Sequence, residues 1–206
     1  MILNDIPSDI QNIYVDVGLS YDAPNSNKWL KEDPHSFVFG FEPVPENCDS
    51  VISIINKGGF SKRFQLFKNA VDNQESSRVF NITKNSIKGD RGQSSFFSPR
   101  EGAPFSIEES IEVNCVSLRS LFSLLDWDRF KEIKILKTDT QGNDLVIMKD
   151  IASFFNRVPY IICESHTLNS YANSNDDPRN MASFMTSHNY SLLSPLNHPD
   201  HIYKRK

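Results

Sequence analysis

Cysteine is scarce in this 206-residue sequence, with only Cys48, Cys115 and Cys163 and no C-x-x-C pair. Three widely spaced cysteines do not make a disulfide framework, so we expect reduced residues in the core of a cytoplasmic protein. An excess of basic residues is also missing, because 22 Lys and Arg face 26 Asp and Glu for a net charge of −4. The sequence therefore offers no general basic field to bind nucleic acid or an acidic membrane.

Long hydrophobic runs are absent as well. Apolar stretches end after four or five residues, as at 51–55 and 160–163, far short of the roughly 20 residues of a membrane-spanning helix. The first residues lack the basic and apolar regions of a secretory signal. We expect no membrane span and no export.

Three glycine-containing motifs are missing. Neither G-x-S-x-G nor G-x-x-x-x-G-K-[ST] occurs, which removes the main support for a serine hydrolase or a P-loop NTPase. In the loop that would bind a dinucleotide, the G-x-G-x-x-G/A positions hold Gly18, Ser20 and Ala23. The Cβ of Ser20 stands where a pyrophosphate would approach the backbone, so NAD or FAD is disfavoured. A nucleoside cofactor without pyrophosphate tolerates this serine.

Short apolar segments alternate with segments of helical period. We predict strands at 13–18, 38–42, 64–71, 133–139 and 159–164, and helices near 25–30, 45–58, 117–126, 143–155 and 177–188. Asn25 or Ser26 would cap the first helix. Residues 190–193 and 201–204 suggest a final antiparallel hairpin. This order is typical of an α/β protein with a mostly parallel sheet and helices on both faces, in one domain over 1–206.

Residues 84–110 are the exception, since glycine, proline and serine are frequent there and no period is sustained. We interpret the stretch as a loop insertion, which is usually functional when this long. Its arginines and aromatic residues suit an acceptor lid, although covering a sheet edge is an equal alternative. These residues are Arg91, Phe96, Phe97, Arg100 and Phe105.

Polar residues collect where the predicted strands end. They are Asp16 with Gly18, Glu42 with Pro43, Asn69 with Ala70, Asp139 with Gln141, and Glu164 with His166. Ligands of open parallel sheets bind beyond these carboxyl ends. Glu42 stands out because it lies 24 residues after Gly18, near the spacing at which an acidic side chain binds an adenosine ribose. The alternative is a carboxylate at the positive end of the following helix.

Six segments together resemble the FkbM-type methyltransferases. They are V-D-V-G at 15–18, G-F-E-P-V-P at 40–45, N-A-V at 69–71, G-Q-S-S-F at 92–96, the segment 113–118, and L-K-T-D-T-Q-G-N-D-L at 136–145. The resemblance runs from about residue 13 to 164. It implies a Rossmann-like class I methyltransferase fold, S-adenosylmethionine as cofactor, and methylation of a hydroxyl on a sugar or other small metabolite.

The same resemblance assigns cofactor contacts. Asp16, Gly18 and Ser20 would line the methionine end, Glu42 with Pro43 the ribose, and Asn69 with Ala70 the adenine. Asp139 and Gln141 would face the reacting centre. The family's usual G-A-N-x-G is replaced here by G-L-S-Y-D-A-P-N at 18–25, which bears on the contacts of Ser20 and Asn25.

A hydroxyl acceptor must lose its proton, which requires a carboxylate or imidazole within hydrogen-bond reach. Asp139 is the first candidate, followed by His166 and Glu164. Alternatively, Asp139 holds the next helix or the cofactor's ammonium group. Asp139, Asp144, Glu164 and His166 could converge on a hard cation, but their spacing does not require a metal and we expect none.

Three hypotheses remain: an O-methyltransferase, an NAD-dependent oxidoreductase, and a non-catalytic Rossmann-like binding module. The fold alone does not separate them. For the first, the expected partner is a small acceptor, a carbohydrate or glycosylated metabolite, and not a nucleic acid. The sequence does not set the oligomeric state.

Overall fold

The computed structural model describes residues 3, 5–85, 91–164, 170–174 and 177–206. Its strands are β1 (Asn12–Val17), β2 (Ser36–Phe41), β3 (Phe64–Phe67), β4 (Ala70–Val71), β5 (Ser76–Asn85), β6 (Phe105–Val116), β7 (Ile133–Thr138), β8 (Tyr160–Glu164), β9 (Tyr190–Leu192) and β10 (Asp200–Arg205). The helices are α1 (Pro24–Glu32), α2 (Pro45–Lys57), α3 (Leu118–Leu124), α4 (Asp144–Asp150) and α5 (Pro178–Ser187), with 3₁₀ turns at Ser61–Arg63 and Ala152–Arg157.

The main sheet of the described chain has the order β3-β2-β1-β7-β8-β10-β9. Strands β1, β2, β3, β7 and β8 are parallel, whereas β10 pairs antiparallel with both β8 and β9. All six residues of β2 are buried, as expected for a strand covered on both faces. The predicted α/β architecture with a C-terminal hairpin is confirmed.

The central strand β1 lies between β2 and β7. The chain adds β2 and β3 on one side of β1 and later adds β7 and β8 on the other side. Such a switch point opens a crevice at the carboxyl ends of the strands. Backbone hydrogen bonds join these ends: Gly18 N–H donates to Phe41 O at 3.0 Å, and Asp139 N–H donates to Val17 O at 3.0 Å. The sheet thus brings residues 18, 42 and 139 to one edge.

Three helix predictions need correction at their ends. Helix α1 begins at Pro24 after Ala23, and no side chain caps it, because Ser26 instead donates to Asp16. Helix α3 is shorter than 117–126, although Ser117 caps it as a serine should. The helix predicted over 143–155 is α4 followed by the 3₁₀ turn.

A second, three-stranded sheet has the order β4-β6-β5 and was not predicted. The strand predicted over 64–71 divides between the two sheets, as β3 and β4. The loop predicted over 84–110 is too long at both ends. Strand β5 extends to Asn85, and strand β6 begins at Phe105. The described residues 91–104 lie between these two strands in the chain. Within this segment, Ser95 exchanges two backbone hydrogen bonds with Asn81 of β5.

The three cysteines are free and buried. In the described ranges, no helix has the length and apolar character needed to cross a bilayer.

Candidate functional site

A cleft of about 580 Å³ opens above the carboxyl ends of β1, β2 and β7. Eight predicted site residues line it: Gly18, Ser20, Glu42, Pro43, Asn69, Ala70, Asp139 and Gln141. The strand ends thus meet in one site, as the sequence predicts.

The loop after β1 has an unusual backbone. Gly18, Ser20 and Ala23 have φ of 76°, 56° and 43°, in the left-handed region that non-glycine residues rarely occupy. A Cβ on Gly18 would lie 2.0 Å from the backbone oxygen of Asp139, so only glycine fits. Two non-glycine residues in this conformation store strain, which clusters at ligand sites.

Glu42 is 4% exposed, and its carboxylate binds the backbone of the loop that follows β1. Oε1 accepts from Val44 N–H at 3.0 Å and from the Asn47 amide at 3.3 Å, and Oε2 accepts from Ser20 N–H at 3.0 Å. A carboxylate has about four acceptor sites. With these three contacts from described residues, Oε2 keeps one acceptor site, and Glu42 is among the residues that line the cleft.

Burial raises the pKa of Glu42 to about 7. The hydrogen bonds from Val44 N–H, the Asn47 amide and Ser20 N–H favour the ionised form and lower the pKa, but burial has the larger effect. The carboxyl therefore changes charge near neutral pH. A ligand that donates hydrogen bonds to it selects the ionised form.

Lys137 joins the floor of the site. Its ammonium donates to Gly18 O at 2.9 Å and to Asp139 Oδ2 at 3.2 Å, and lies 3.9 Å from Asp16 Oδ1. Burial would lower the pKa of Lys137, but Asp139 and Asp16 outweigh it and raise that pKa. Lys137 is therefore a buried cation that ties the first loop to Asp139.

Asp16 and Asn25 do not line the cleft, contrary to the contacts expected for them. Asp16 is 1% exposed and its Oδ2 accepts from the Ser26 backbone N–H at 3.0 Å and hydroxyl at 2.6 Å. It holds the first turn of α1, which physically explains why it faces away. Asn25 lies in that same turn, on the helix.

Asp139, which lines the cleft, and Glu164, which does not line it, form a carboxyl pair. The two side chains hydrogen-bond each other, and the Gln141 amide donates to Asp139 Oδ1 at 2.8 Å and to Glu164 Oε2. Burial would raise the pKa of Asp139, but Lys137 and the hydrogen bonds hold it low. Burial and the charge of Asp139 raise the pKa of Glu164 well above its usual range.

Two neighbouring carboxyls with opposite shifts share one proton, because both cannot ionise cheaply. Asp139 carries the charge and Glu164 the proton. A strongly acidic carboxyl is a weak base, so ionised Glu164 is the stronger base of the two. His166 lies outside the described residues.

The opposite wall of the cleft comes from α2, β5 and the segment after Arg91. Phe80 and Phe96 pack edge to face at 5.3 Å, and Arg78 lies over the Phe96 ring at 3.9 Å. Arg91 pairs with Glu108 at 2.9 Å and with Glu46 at 3.4 Å, so it joins the hairpin to α2. Part of the predicted lid is therefore a wall of the cleft.

Sequence reasoning missed Val44, Asn47 and Phe80 in the cleft and Lys137 beneath it. A lysine beside the polar carboxyl end of a mostly apolar strand is a signal that could have identified Lys137, although β7 also contains the more exposed Lys134. Phe80 belongs to a strand that was not predicted, so its position had no basis in the sequence pattern.

Comparison with known proteins adds two findings. The family model for the methyltransferase FkbM domain matches residues 13–192. A search of the curated proteins finds no significant match.

Among solved structures, the chain is similar to Sp1610 of Streptococcus pneumoniae, a candidate tRNA (m1A22) methyltransferase, with 8% identity and a TM-score of 0.50. That match covers 96% of this chain and 65% of Sp1610, which has also been crystallised with S-adenosyl-L-methionine. Precorrin-6y C5,15-methyltransferase from Geobacter metallireducens matches with 12% identity and a TM-score of 0.49, over 98% of this chain and 84% of that one. Likeness at such low identity bears on the fold alone.

Proposed function

The chain belongs to the FkbM methyltransferase domain family, and from this premise we propose that it transfers the methyl group of S-adenosylmethionine to a hydroxyl oxygen of a sugar or other small metabolite. The observation that carries the cofactor assignment is Glu42, a buried carboxylate that faces the cleft with an acceptor site on Oε2. A ribose hydroxyl is the donor that this site fits.

The walls of the cleft suit the other parts of the cofactor. Val44, Ala70 and Phe80 offer an apolar surface for adenine, and Asn69 lies beside them. Gly18 and Ser20 then line the part of the cleft that would hold the methionine end of the cofactor, and Asp139 lines the cleft next to Gly18. We therefore keep these predicted contacts and withdraw Asp16 and Asn25, which do not line the cleft.

The chain's own groups provide alignment and proton transfer. Bound S-adenosylmethionine supplies a methyl group on a positively charged sulfur. Asp139, held ionised by Lys137, places a negative charge at that end of the cleft. Alignment of the acceptor alone can lower the barrier by about 7–11 kcal/mol. We assign removal of the hydroxyl proton to the pair, with Asp139 at the cleft and Glu164 behind it as the stronger base. The sequence ranked Asp139 first, and His166 stays a prediction.

The described part of the predicted lid supports a role at the acceptor end. Ser95 hydroxyl donates to Gln141 O at 2.6 Å, so residues 91–98 lie against the proposed reacting centre. The net charge of −4 favours a small acceptor over a polyanion. The buried free cysteines agree with a reducing cytoplasm, where we place the protein.

A thermal-shift measurement tests the proposal. At about 100 times its dissociation constant, S-adenosylhomocysteine should add about 2.7 kcal/mol of stability, because it binds only the folded protein. For a chain of this length the expected rise in Tm is roughly 5–11 °C. NAD at the same concentration should give no shift, since its pyrophosphate meets the Cβ of Ser20.

A shift with NAD and none with the sulfur nucleoside would contradict the proposal and support the oxidoreductase. A shift with neither would favour a module that has lost the cofactor.

A further inference from the structure

Tyr171 is a buried side chain that the mechanism has not used. It is 1% exposed, and its hydroxyl lies 2.7 Å from Gln141 Oε1 and 2.9 Å from Gln93 O. Gln93 Oε1 is a third oxygen neighbour, at 3.3 Å. The hydroxyl has one hydrogen, and we assign it to the shortest of the three contacts, the one to Gln141 Oε1. Tyr171 does not line the cleft, and its effect on the site must pass through Gln141.

The position of Tyr171 is fixed from several sides. Arg100 Nε donates to Tyr171 O at 3.0 Å, and the ring packs on Phe105 at 5.4 Å. The neighbouring backbone pairs with the 91–104 segment, since Ala172 N–H donates to Ser98 O at 2.9 Å. These contacts fix the position of the Tyr171 hydroxyl, which in turn holds the Gln141 side-chain amide in place.

Gln141 has only one amide orientation that suits its surroundings. Its carbonyl oxygen faces the Tyr171 hydroxyl, so its NH₂ group faces Asp139 and Glu164. The reverse orientation would place the amide oxygen against the ionised Asp139 carboxylate, which can only accept hydrogen bonds. The backbone is held as well, because Gln141 O accepts from the Ser95 hydroxyl and its φ is 56°, a strained value that persists only where surroundings enforce it.

We propose that Tyr171 and Gln141 are positioning residues that hold Asp139 and Glu164 side by side as a pair sharing one proton. The pair faces the charges of Lys137 and Asp144 as well. Its catalytic consequence rests on the proposed methyl transfer, whereas the pairing itself does not.

In that reaction Glu164 first loses its proton to solvent. The pair then takes the acceptor's hydroxyl proton through Asp139, which lines the cleft, and passes it to Glu164, while the bond from oxygen to the methyl carbon forms and the carbon–sulfur bond breaks. The electron pair stays on sulfur. The products are the methyl ether, the neutral thioether and protonated Glu164, so atoms and charge balance.

The test is a ¹³C NMR titration of the Asp139 and Glu164 carboxyls in the cofactor-free protein. In the wild type, the two midpoints should be separated far more than those of independent carboxyls. Tyr171→Phe should narrow the separation by about one pH unit or more, because groups that no longer lie together stop splitting each other's titration. Gln141→Leu should narrow it at least as much.

A double-mutant cycle identifies the route. Tyr171→Phe should have no further effect on the midpoints in the Gln141→Leu protein. Tyr190→Phe is the matched control, since Tyr190 is fully buried and its hydroxyl donates to Phe155 O and Val158 O, away from the cleft. That variant should lose stability and leave both midpoints unchanged.

Unchanged midpoints in Tyr171→Phe, or equal effects of that change in both backgrounds, would overturn the proposal. If Tyr171→Phe does not fold, Gln141→Leu alone decides whether the amide holds the pair. Calorimetry measures binding of S-adenosylhomocysteine to the wild type in parallel. Absence of binding to the wild type would remove the proposed function and leave the pairing result standing.

Discussion

Replacing Gly18 with alanine is expected to lower the free energy of unfolding by about 2–5 kcal/mol and to abolish binding of S-adenosylhomocysteine. The left-handed backbone of this residue costs an alanine about 1–2 kcal/mol. The new Cβ would also lie 2.0 Å from Asp139 O, and such overpacking costs about 1–3 kcal/mol more. Relief of the clash must move β1 and β7 apart where the cleft opens.

Gly59→Ala provides the control for this experiment. Gly59 has nearly the same backbone, with φ of 74°, but a Cβ there meets nothing within 4 Å. It should therefore lose only about 1–2 kcal/mol and bind normally. Urea unfolding of both variants measures the difference. Equal stability losses, or normal binding by a folded Gly18→Ala protein, would show that the close approach of Gly18 to Asp139 does not shape the site.

Replacing Glu42 with alanine should weaken the affinity for S-adenosylhomocysteine about 10- to 100-fold. The reason is the loss of a charged hydrogen-bond acceptor, worth about 1.5–3 kcal/mol. Asp49→Ala is the matched control, because it removes an acidic side chain from α2, the helix that follows Glu42, where the side chain is 77% exposed and outside the cleft. Calorimetry should find its affinity unchanged. Equal affinities of Glu42→Ala and the wild type would remove Glu42 from the site.

The same carboxylate predicts a pH dependence. The pKa of Glu42 is raised to about 7, so below that pH the free protein must lose a proton before the ionised form can accept the ribose hydroxyl. Affinity should therefore fall as pH decreases from 8 to 6, by up to about tenfold per unit below the pKa. Adenosine is the best probe, because it has no group that ionises near neutral pH. Glu42→Gln should flatten the profile, and a wild-type profile that is already flat would contradict this account.

Much of the fold follows from the sequence because apolar strands and periodic helices dominate the main sheet. No residue of β1, β2, β7 or β8 is exposed, and such short, mostly apolar runs are typical of parallel strands that are covered on both faces. Their polar ends meet because carboxyl ends of parallel strands share one edge. Glu42 and Asp139 could therefore be assigned to one cleft before their contacts were known.

The second sheet could not be predicted in this way. Strand β6 is largely exposed and contains Glu108, Glu109 and Glu112, so neither its alternation nor its composition separates it from a polar loop. Strand β4 has two residues, too few for any periodic signal. The cleft wall that contains Phe80 and Phe96 depends on this sheet.

The pairing of Asp139 with Glu164 could not be predicted from the sequence either. Whether Asp139 or Glu164 holds the proton depends on the position of Lys137 and on the orientation of the Gln141 amide, which Tyr171 sets from 30 residues away. Likewise, Asp16 has the residue type of a cofactor ligand, but its side chain points to Ser26. Side-chain direction at a strand end is decided by tertiary contacts.

A crystal structure of the protein with S-adenosylhomocysteine tests the central claim most directly. We expect a ribose hydroxyl bonded to Glu42 Oε2, the adenine against Ala70 and Phe80, and the sulfur on the side of Asp139. A nucleoside bound elsewhere, or a ribose in the cleft that Glu42 does not touch, would contradict the account.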